Sequence, residues 1–346
     1  MNGRARLPGR GQATNALVTG GGGFLGRYIV EQLLARGDTV TVFARGSYPE
    51  LEPAGARTIR GSVEDAAAIG QACAGMDVVF HVAAKAGLWG PWPSFWNTNV
   101  VGTRNVIAAC RDVGVPRLVY TSSPSVVFDN RPQAGCDESL PYPARYESYY
   151  PQTKAMAERL VIEAGRQDGA SPLLAVVLRP HLIWGARDTH ILPGLLERAR
   201  QGKLMQVGDG TNRVDLTYVE DAARAHVLAA DALQPGSPAV GSTYFISQDE
   251  PVAMWPWIND LLRELGIPPV RGQISLAVAR AAGAAMELAH RTLSLPGEPR
   301  LTRFLASELA MSHYYDISRA KRDLGYKPQY SMQEALQRTL PFLKQS

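Results

Sequence analysis

The sequence predicts an α/β fold, a doubly wound parallel sheet followed by a smaller, mostly helical C-terminal lobe. Three observations carry this. Short apolar runs alternate with helix-period segments up to about residue 186. A cluster of glycines separates the first apolar run from the first helical segment. Beyond Gly185 the alternation loosens into helical sequence that carries Pro and Trp. Strands that alternate with helices are joined by right-handed crossovers, and these wind a parallel sheet in both directions.

The elements follow in order. Residues 1–13 are basic and have no apolar run, so a disordered tail is expected and a secretory signal is not. Ala16-Leu-Val-Thr19 reads as the first strand, and Arg27–Arg36 as an amphipathic helix closed by Gly37. Further strands are expected at Thr39–Phe43, Arg57–Arg60, Val78–Val82, Arg117–Thr121 and Ala175–Arg179. Helices are expected at Ala66–Cys73, Asn97–Val113 and Tyr149–Gly165. The sheet domain thus spans 14–186, with returning segments near 213–247 that include a strand at Ser242–Ser247. Residues 187–212, with a basic helix near Leu195–Gln201, and 248–346 are left to build a substrate lobe.

Bulk properties exclude several classes. The chain has 346 residues and a net charge of +4, with no dense Lys/Arg run, which does not suit a nucleic-acid surface. Its three cysteines, Cys73, Cys110 and Cys136, are odd in number and far apart, which fits a reducing cytoplasm. The six histidines show no metal-ligand spacing, so no metal is expected. Residues 274–293 form a small-residue amphipathic pattern that suits core packing, a substrate wall or peripheral membrane contact. Arg280, Glu287, His290 and Arg291 argue against a spanning helix.

Two motifs carry chemistry. Gly20-x-x-Gly23-x-x-Gly26 follows a strand and opens a helix, the context of a Rossmann dinucleotide site. Its glycines permit a tight turn and a close pyrophosphate, and the helix N-terminus offers NH donors. An acidic residue at the end of the second strand would hold the ribose hydroxyls of NAD, but Ala44 stands there and Arg45 follows. Arg45, with Ser47 nearby, suits a 2′-phosphate, so NADP(H) is expected. In YESYYPQTKAMAE (146–158) only Tyr150 has a lysine four residues on, at Lys154. On a helix this sets an ammonium beside a phenol, and a neighbouring positive charge lowers a phenol pKa. Upstream, Leu118-Val-Tyr-Thr-Ser-Ser-Pro-Ser125 runs an apolar strand into hydroxyls at the ligand-binding edge of the sheet.

Read together, TGGGGFLG (19–26), NVVGTRN (99–105), YTSSPSV (120–126), YYPQTK (149–154), RPHLIWG (179–185) and DLTYVED (215–221) resemble the extended short-chain dehydrogenase/reductase family. The branch they resemble is the 3β-hydroxysteroid dehydrogenase-like one, over roughly 15–335. The resemblance implies that Tyr150 is the general acid/base and that Lys154 lowers its pKa and holds the nicotinamide ribose. Ser123 would orient the reacting oxygen, and Asn99 would support a proton relay. It also implies cofactor contacts at Phe24, Leu25, Val63, Ala83 and Pro180, with Ser62 standing where relatives carry an adenine-binding Asp. His181, beside Pro180, is a candidate for ribose or a substrate carboxylate.

AAKAGLWG (83–90) and LPGEPRLTRFLASEL (295–309) are similar to reductases of bacterial long-chain olefin biosynthesis. This implies NADPH-dependent reduction of a 2-alkyl-3-oxoalkanoate to the 3-hydroxy acid. The alternative is the decarboxylating sterol-4-carboxylate 3-dehydrogenase type, which shares segments like RPHLIWG and HYYDISRAKRDLGY. A dinucleotide-binding protein without turnover and a nucleotide-sugar epimerase are weaker alternatives. Trp89, Trp92, Phe95 and Trp96 are read as part of an apolar substrate wall, and Tyr146 and Tyr149 as lining or packing the site. A homodimer or a place in an enzyme assembly is expected.

Overall fold

A computed structural model describes residues 13–167 and 172–345. The expected tail lies, except for Ala13, outside them. Seven strands form the central sheet: β1 (Asn15–Thr19), β2 (Thr39–Ala44), β3 (Arg57–Arg60), β4 (Val78–His81), β5 (Arg117–Thr121), β6 (Leu174–Pro180) and β7 (Ser242–Ile246). Their spatial order is β7-β6-β5-β4-β1-β2-β3, and every neighbouring pair is parallel. The chain direction across the sheet reverses between β1 and β4. Ligands bind beyond the carboxyl ends of strands at such a point.

Period-2 alternation gives the sheet two buried faces. Val18, Val42, Phe80 and Val176 face one apolar layer with Ile29 and Leu33 of helix Phe24–Arg36 and Ala225 and Ala229 of helix Val219–Ala232. Leu17, Phe43, Val79 and Val177 face the other, with Ile69, Val106 and Val161 from helices Ala66–Cys73, Gly102–Val113 and Tyr149–Arg166.

The expected helix Asn97–Val113 is not continuous. A turn at Trp92–Phe95 passes into a π-helical stretch, Trp96–Val101, before the α-helix begins at Gly102. π-Turns widen the spiral by one residue and gather at functional sites. Here the wide turn carries Asn99.

The C-terminal lobe contains helices Ile191–Arg200, Met254–Glu264, Leu276–Leu293 and Arg303–Ala310. A small sheet joins Val252–Ala253, Arg213–Val214, His313–Tyr315 and Gln133–Cys136, so the last of these strands comes from the sheet domain's own sequence. Helix Leu276–Leu293 crosses the start of Arg303–Ala310 at Gly283. A Cβ there would lie 2.7 Å from the Thr302 carbonyl carbon and 2.8 Å from the Arg303 nitrogen.

Candidate active site

The glycine turn is shaped for close approach. Gly20 has φ +70°, and a Cβ on it would lie 2.9 Å from the Ala83 Cα at the end of β4. A Cβ on Gly26 would lie 2.2 Å from the Gly20 carbonyl oxygen, so only glycine lets the helix seat against the turn. Gly23 caps helix Phe24–Arg36 without a side-chain acceptor, which leaves the first-turn NH groups for a ligand. These features fit the pyrophosphate of a dinucleotide.

A cleft of about 660 Å³ runs from this turn to the lobe. It is lined by Gly20, Gly23, Phe24, Leu25, Gly26, Arg45, Ser62, Val63, Ala83, Ser123, Tyr150, Lys154 and Pro180, residues that lie far apart in sequence. Two sequence candidates are not brought to it. The exposed Ser47 faces an adjoining depression with Thr58 and Arg60. Asn99 is buried behind the wall. Its Oδ1 accepts from the Lys85 N–H at 2.7 Å, while its Nδ2 donates to the Lys85 carbonyl at 3.1 Å and to Thr153 Oγ1 at 3.0 Å. Asn99 therefore ties the loop after β4 to the helix that carries Tyr150. Arg45 lines the cleft just beyond the end of β2, and among the described residues the only acidic side chain in the lining is Glu308, on helix Arg303–Ala310 of the lobe. Tyr48, missed in the sequence, also lines the cleft and lays its ring over Gly22, where a Cβ would come within 2.3 Å of it.

Tyr150 and Lys154 share one helix face, as the spacing requires. The expected direction of the phenol shift is corrected. Burial pushes the Tyr150 pKa up to about 12, Ser123 pulls it down and Glu308 pushes it up. Lys154 is itself buried, and desolvation pulls its pKa down to about 7 against the charge of Glu158. Its Nζ donates to the Thr121 carbonyl at 2.5 Å and lies 4.2 Å from the centre of the Tyr120 ring. The phenol is thus held in the protonated form, the one that can give a proton to a carbonyl oxygen.

Behind this pair is a group that sequence reading missed. Glu158, four residues after Lys154, is fully buried. It is paired with Arg179 of β6, and it accepts from Tyr142 OH at 2.6 Å and from Ser122 Oγ. Both Ser122 and Ser123 line the cleft, but the Ser122 hydroxyl is given to Glu158, which leaves Ser123 as the serine of this pair whose hydroxyl is free for a ligand. The signal was present as a Tyr150–Lys154–Glu158 ladder at steps of four.

His181 lines the cleft, but its ring nitrogens are already engaged. Nδ1 faces Asp215, and Nε2 lies 3.0 Å from His313 Nδ1. His313 Nε2 lies 2.8 Å from the Glu308 carbonyl, so that nitrogen must carry a proton. Burial holds the His313 pKa down at about 3, which leaves its Nδ1 bare. Both His181 nitrogens are thus occupied within the protein, one by Asp215 and one by His313. The expected hydrogen bond from His181 to a ribose or carboxylate has no nitrogen left to make it.

The apolar wall also differs from expectation. Leu88, Leu182, Ile183, Ile191 and Phe304 line the cleft, whereas Trp89, Trp92, Phe95 and Trp96 do not. Trp92 stacks on Trp96 at 5.6 Å and meets Tyr149 edge-on at 5.3 Å, so this cluster packs helices together. Tyr149 and Tyr146 pack rather than line, and Tyr146 OH donates to the Val126 carbonyl at 2.9 Å. Helix Leu276–Leu293 supplies no lining residue. It turns Glu287 inward to Arg303 and Arg280 inward to Glu147, and leaves Val278, Leu288 and Leu293 exposed. Among the described residues, no helix is long and apolar enough to cross a membrane.

Residues 17–278 match the model of the 3-beta hydroxysteroid dehydrogenase/isomerase family. The chain belongs to that family. Relatives named 2-alkyl-3-oxoalkanoate reductase include one from Shewanella oneidensis, 46% identical over 94% of this chain and 86% of its own. Another, from Stenotrophomonas maltophilia, is 48% identical over 93% and 97%. The human decarboxylating sterol-4-alpha-carboxylate 3-dehydrogenase is 34% identical over 95% and 88%. A solved structure, MoeE5 in complex with UDP-glucose and NAD, matches with a TM-score of 0.74 at 26% identity, covering 96% of this chain and 99% of that one. Membership of this oxidoreductase family agrees with a dinucleotide site at the glycine turn.

Proposed function

We propose that the chain is an NADPH-dependent reductase that converts a long-chain 2-alkyl-3-oxoalkanoate to its 3-hydroxy acid in olefin biosynthesis. The observation that carries this reading is the apolar wall of Leu88, Leu182, Ile191 and Phe304 next to Ser123 and Tyr150, which suits an alkyl chain and offers little to a sugar diphosphate. The names of the two bacterial relatives support it. Gly20, Gly23, Gly26, Phe24 and Leu25 would hold the pyrophosphate, Arg45 the 2′-phosphate, and Lys154, Pro180 and Ala83 the nicotinamide half. When bound, the dinucleotide supplies the hydride. Ser123 and Tyr150 donate to the substrate's carbonyl oxygen as negative charge grows on it, and Tyr150 gives up its proton there. Lys154 favours the tyrosinate that results. Asn99 keeps the helix of Tyr150 and the loop after β4 in register. The same reading places the enzyme in the cytoplasm, as a homodimer or part of an enzyme assembly, with helix Leu276–Leu293 available for peripheral membrane contact.

The test is kcat/KM with NADPH and NADH for β-keto acids of rising chain length. Each buried CH₂ contributes about 0.8 kcal/mol, so kcat/KM should climb roughly threefold to fourfold per carbon until the wall is filled. A flat profile refutes the reading. The human relative supports a second reading, a decarboxylating dehydrogenase, which CO₂ release from a 3β-hydroxysteroid 4-carboxylate would establish instead.

A further inference from the structure

A β-keto acid places its carboxylate two bonds from the carbon whose oxygen meets Tyr150. That charge must find a partner at the lobe end of the cleft. Arg45 lies at the other end, Lys154 Nζ is bonded to the Thr121 carbonyl, and both nitrogens of His181 are taken. Apart from His190, which is exposed to solvent, one polar side chain there has no partner. The Glu308 side chain, on helix Arg303–Ala310 one turn after Phe304, lines the cleft and makes no hydrogen bond or ion pair among the described residues. It is close enough to Tyr150 to raise the phenol's pKa.

The groups around Glu308 can be named. Tyr150 faces it from helix Tyr149–Arg166, and His181, backed by Asp215, faces it from the end of β6. Strand His313–Tyr315 brings His313, which holds the Glu308 carbonyl, and Tyr315, whose pKa Glu308 also raises. On its own helix Arg303 is paired with Glu287, and Ser307 accepts from Arg280, itself paired with Glu147. His190 lines the same cleft. Burial pushes the Glu308 pKa up to about 7, and His181 pulls it down. Both forms are therefore present near neutral pH. A second carboxylate brought beside this one would favour its protonated form, because two like charges at close range share a proton.

We propose that Glu308 reads the substrate's carboxylate: as the neutral acid it donates a hydrogen bond to that group and so selects an acid over its ester. The inference rests on the function proposed above. The proton comes from solvent, one per acid bound once Glu308 is ionised in the free enzyme.

The experiment measures KM against pH from 6 to 9 for a 2-alkyl-3-hydroxy acid and its methyl ester, run in the oxidative direction. Both substrates share Tyr150 and Lys154, so the difference between their profiles isolates the carboxylate. Above about pH 7, KM for the acid should rise about tenfold per pH unit relative to the ester, the slope of one-proton linkage. Glu308→Gln keeps an N–H donor and should hold KM for the acid low and flat with pH, with kcat changed less than KM. A retained slope in Glu308→Gln, or equal slopes for acid and ester in the wild type, overturns the proposal. Calorimetry on the wild type, with the acid at pH 8 in buffers of different ionisation heat, should read close to one proton taken up, and zero uptake overturns it without any variant. Failure to turn over both acid and ester refutes the functional reading, and this inference with it. Turnover of the acid with no Glu308 dependence refutes the inference alone.

Discussion

Replacing Glu158 by Gln should unfold more of this protein than any change to the residues that line the cleft. Glu158 sits in the dry interior, where Arg179 donates from Nε to both of its oxygens at 3.2 Å and from Nη2 to Oε1, and Tyr142 and Ser122 complete the set. Gln keeps the shape and removes the charge. The Arg179 guanidinium, 3% exposed, is then left without a counter-ion, and its Nη1 already has no partner. Breaking a buried pair from one side costs about 3–5 kcal/mol, a large share of the roughly 5–15 kcal/mol that holds a folded domain. Arg179→Met should cost a similar amount by stranding the carboxylate. Combined with Glu158→Leu it should cost far less than the sum, because an apolar pair removes both desolvation penalties. Urea unfolding of the wild type, Glu158→Leu, Arg179→Met and the Leu/Met double variant gives the cycle. If the single losses add to within about 0.5 kcal/mol, the two groups are not coupled and the reasoning fails. A second readout comes from Lys154. The charge of Glu158 supports its ammonium, which is the active form, so the alkaline limb of the pH–rate profile should move to lower pH in Glu158→Gln.

Tyr150→Phe removes only the proton donor and should lower kcat about 10²–10⁴-fold while the fold and dinucleotide affinity persist; near-normal kcat would reject the assignment. Tyr149→Phe, whose ring packs on Trp92 away from the cleft, should leave kcat within a few-fold of wild type. Arg45→Ala should raise KM for NADPH more than for NADH, since only NADPH carries the 2′-phosphate. Equal changes would show that Arg45 does not read that phosphate.

Much of the fold was legible because period and punctuation agree. The run Ala16–Thr19, the glycine turn and the helix closed by Gly37 specify one β-α unit by local rules, and the same grammar recurs as far as β6. The break at Trp96–Val101 was not legible, because a π-turn changes the spiral by one residue and leaves the hydrophobic pattern almost intact. Within the site, Tyr150, Lys154 and the glycines announce themselves through spacing on a single element. Glu308 and the chain of Asp215, His181 and His313 do not, since they meet only when three distant segments are folded together. The tryptophans misled for a related reason. Apolar surface in a sequence says that something will be covered, and here it is covered by other helices and not by ligand. The sign of the Tyr150 shift shows the same limit: a neighbouring lysine can be read from four-residue spacing, but the dryness of the site cannot.

The contact at Gly283 gives the cleft an adjusting screw outside its own walls. Helix Leu276–Leu293 presses there on the backbone from which Phe304 and Glu308 are hung, with no side chain between. One methyl group at position 283 would wedge the two helices apart and shift both residues together relative to Tyr150. Ligand size could thus be retuned by a substitution that touches neither substrate nor cofactor, and a search for specificity confined to the lining residues would pass it by.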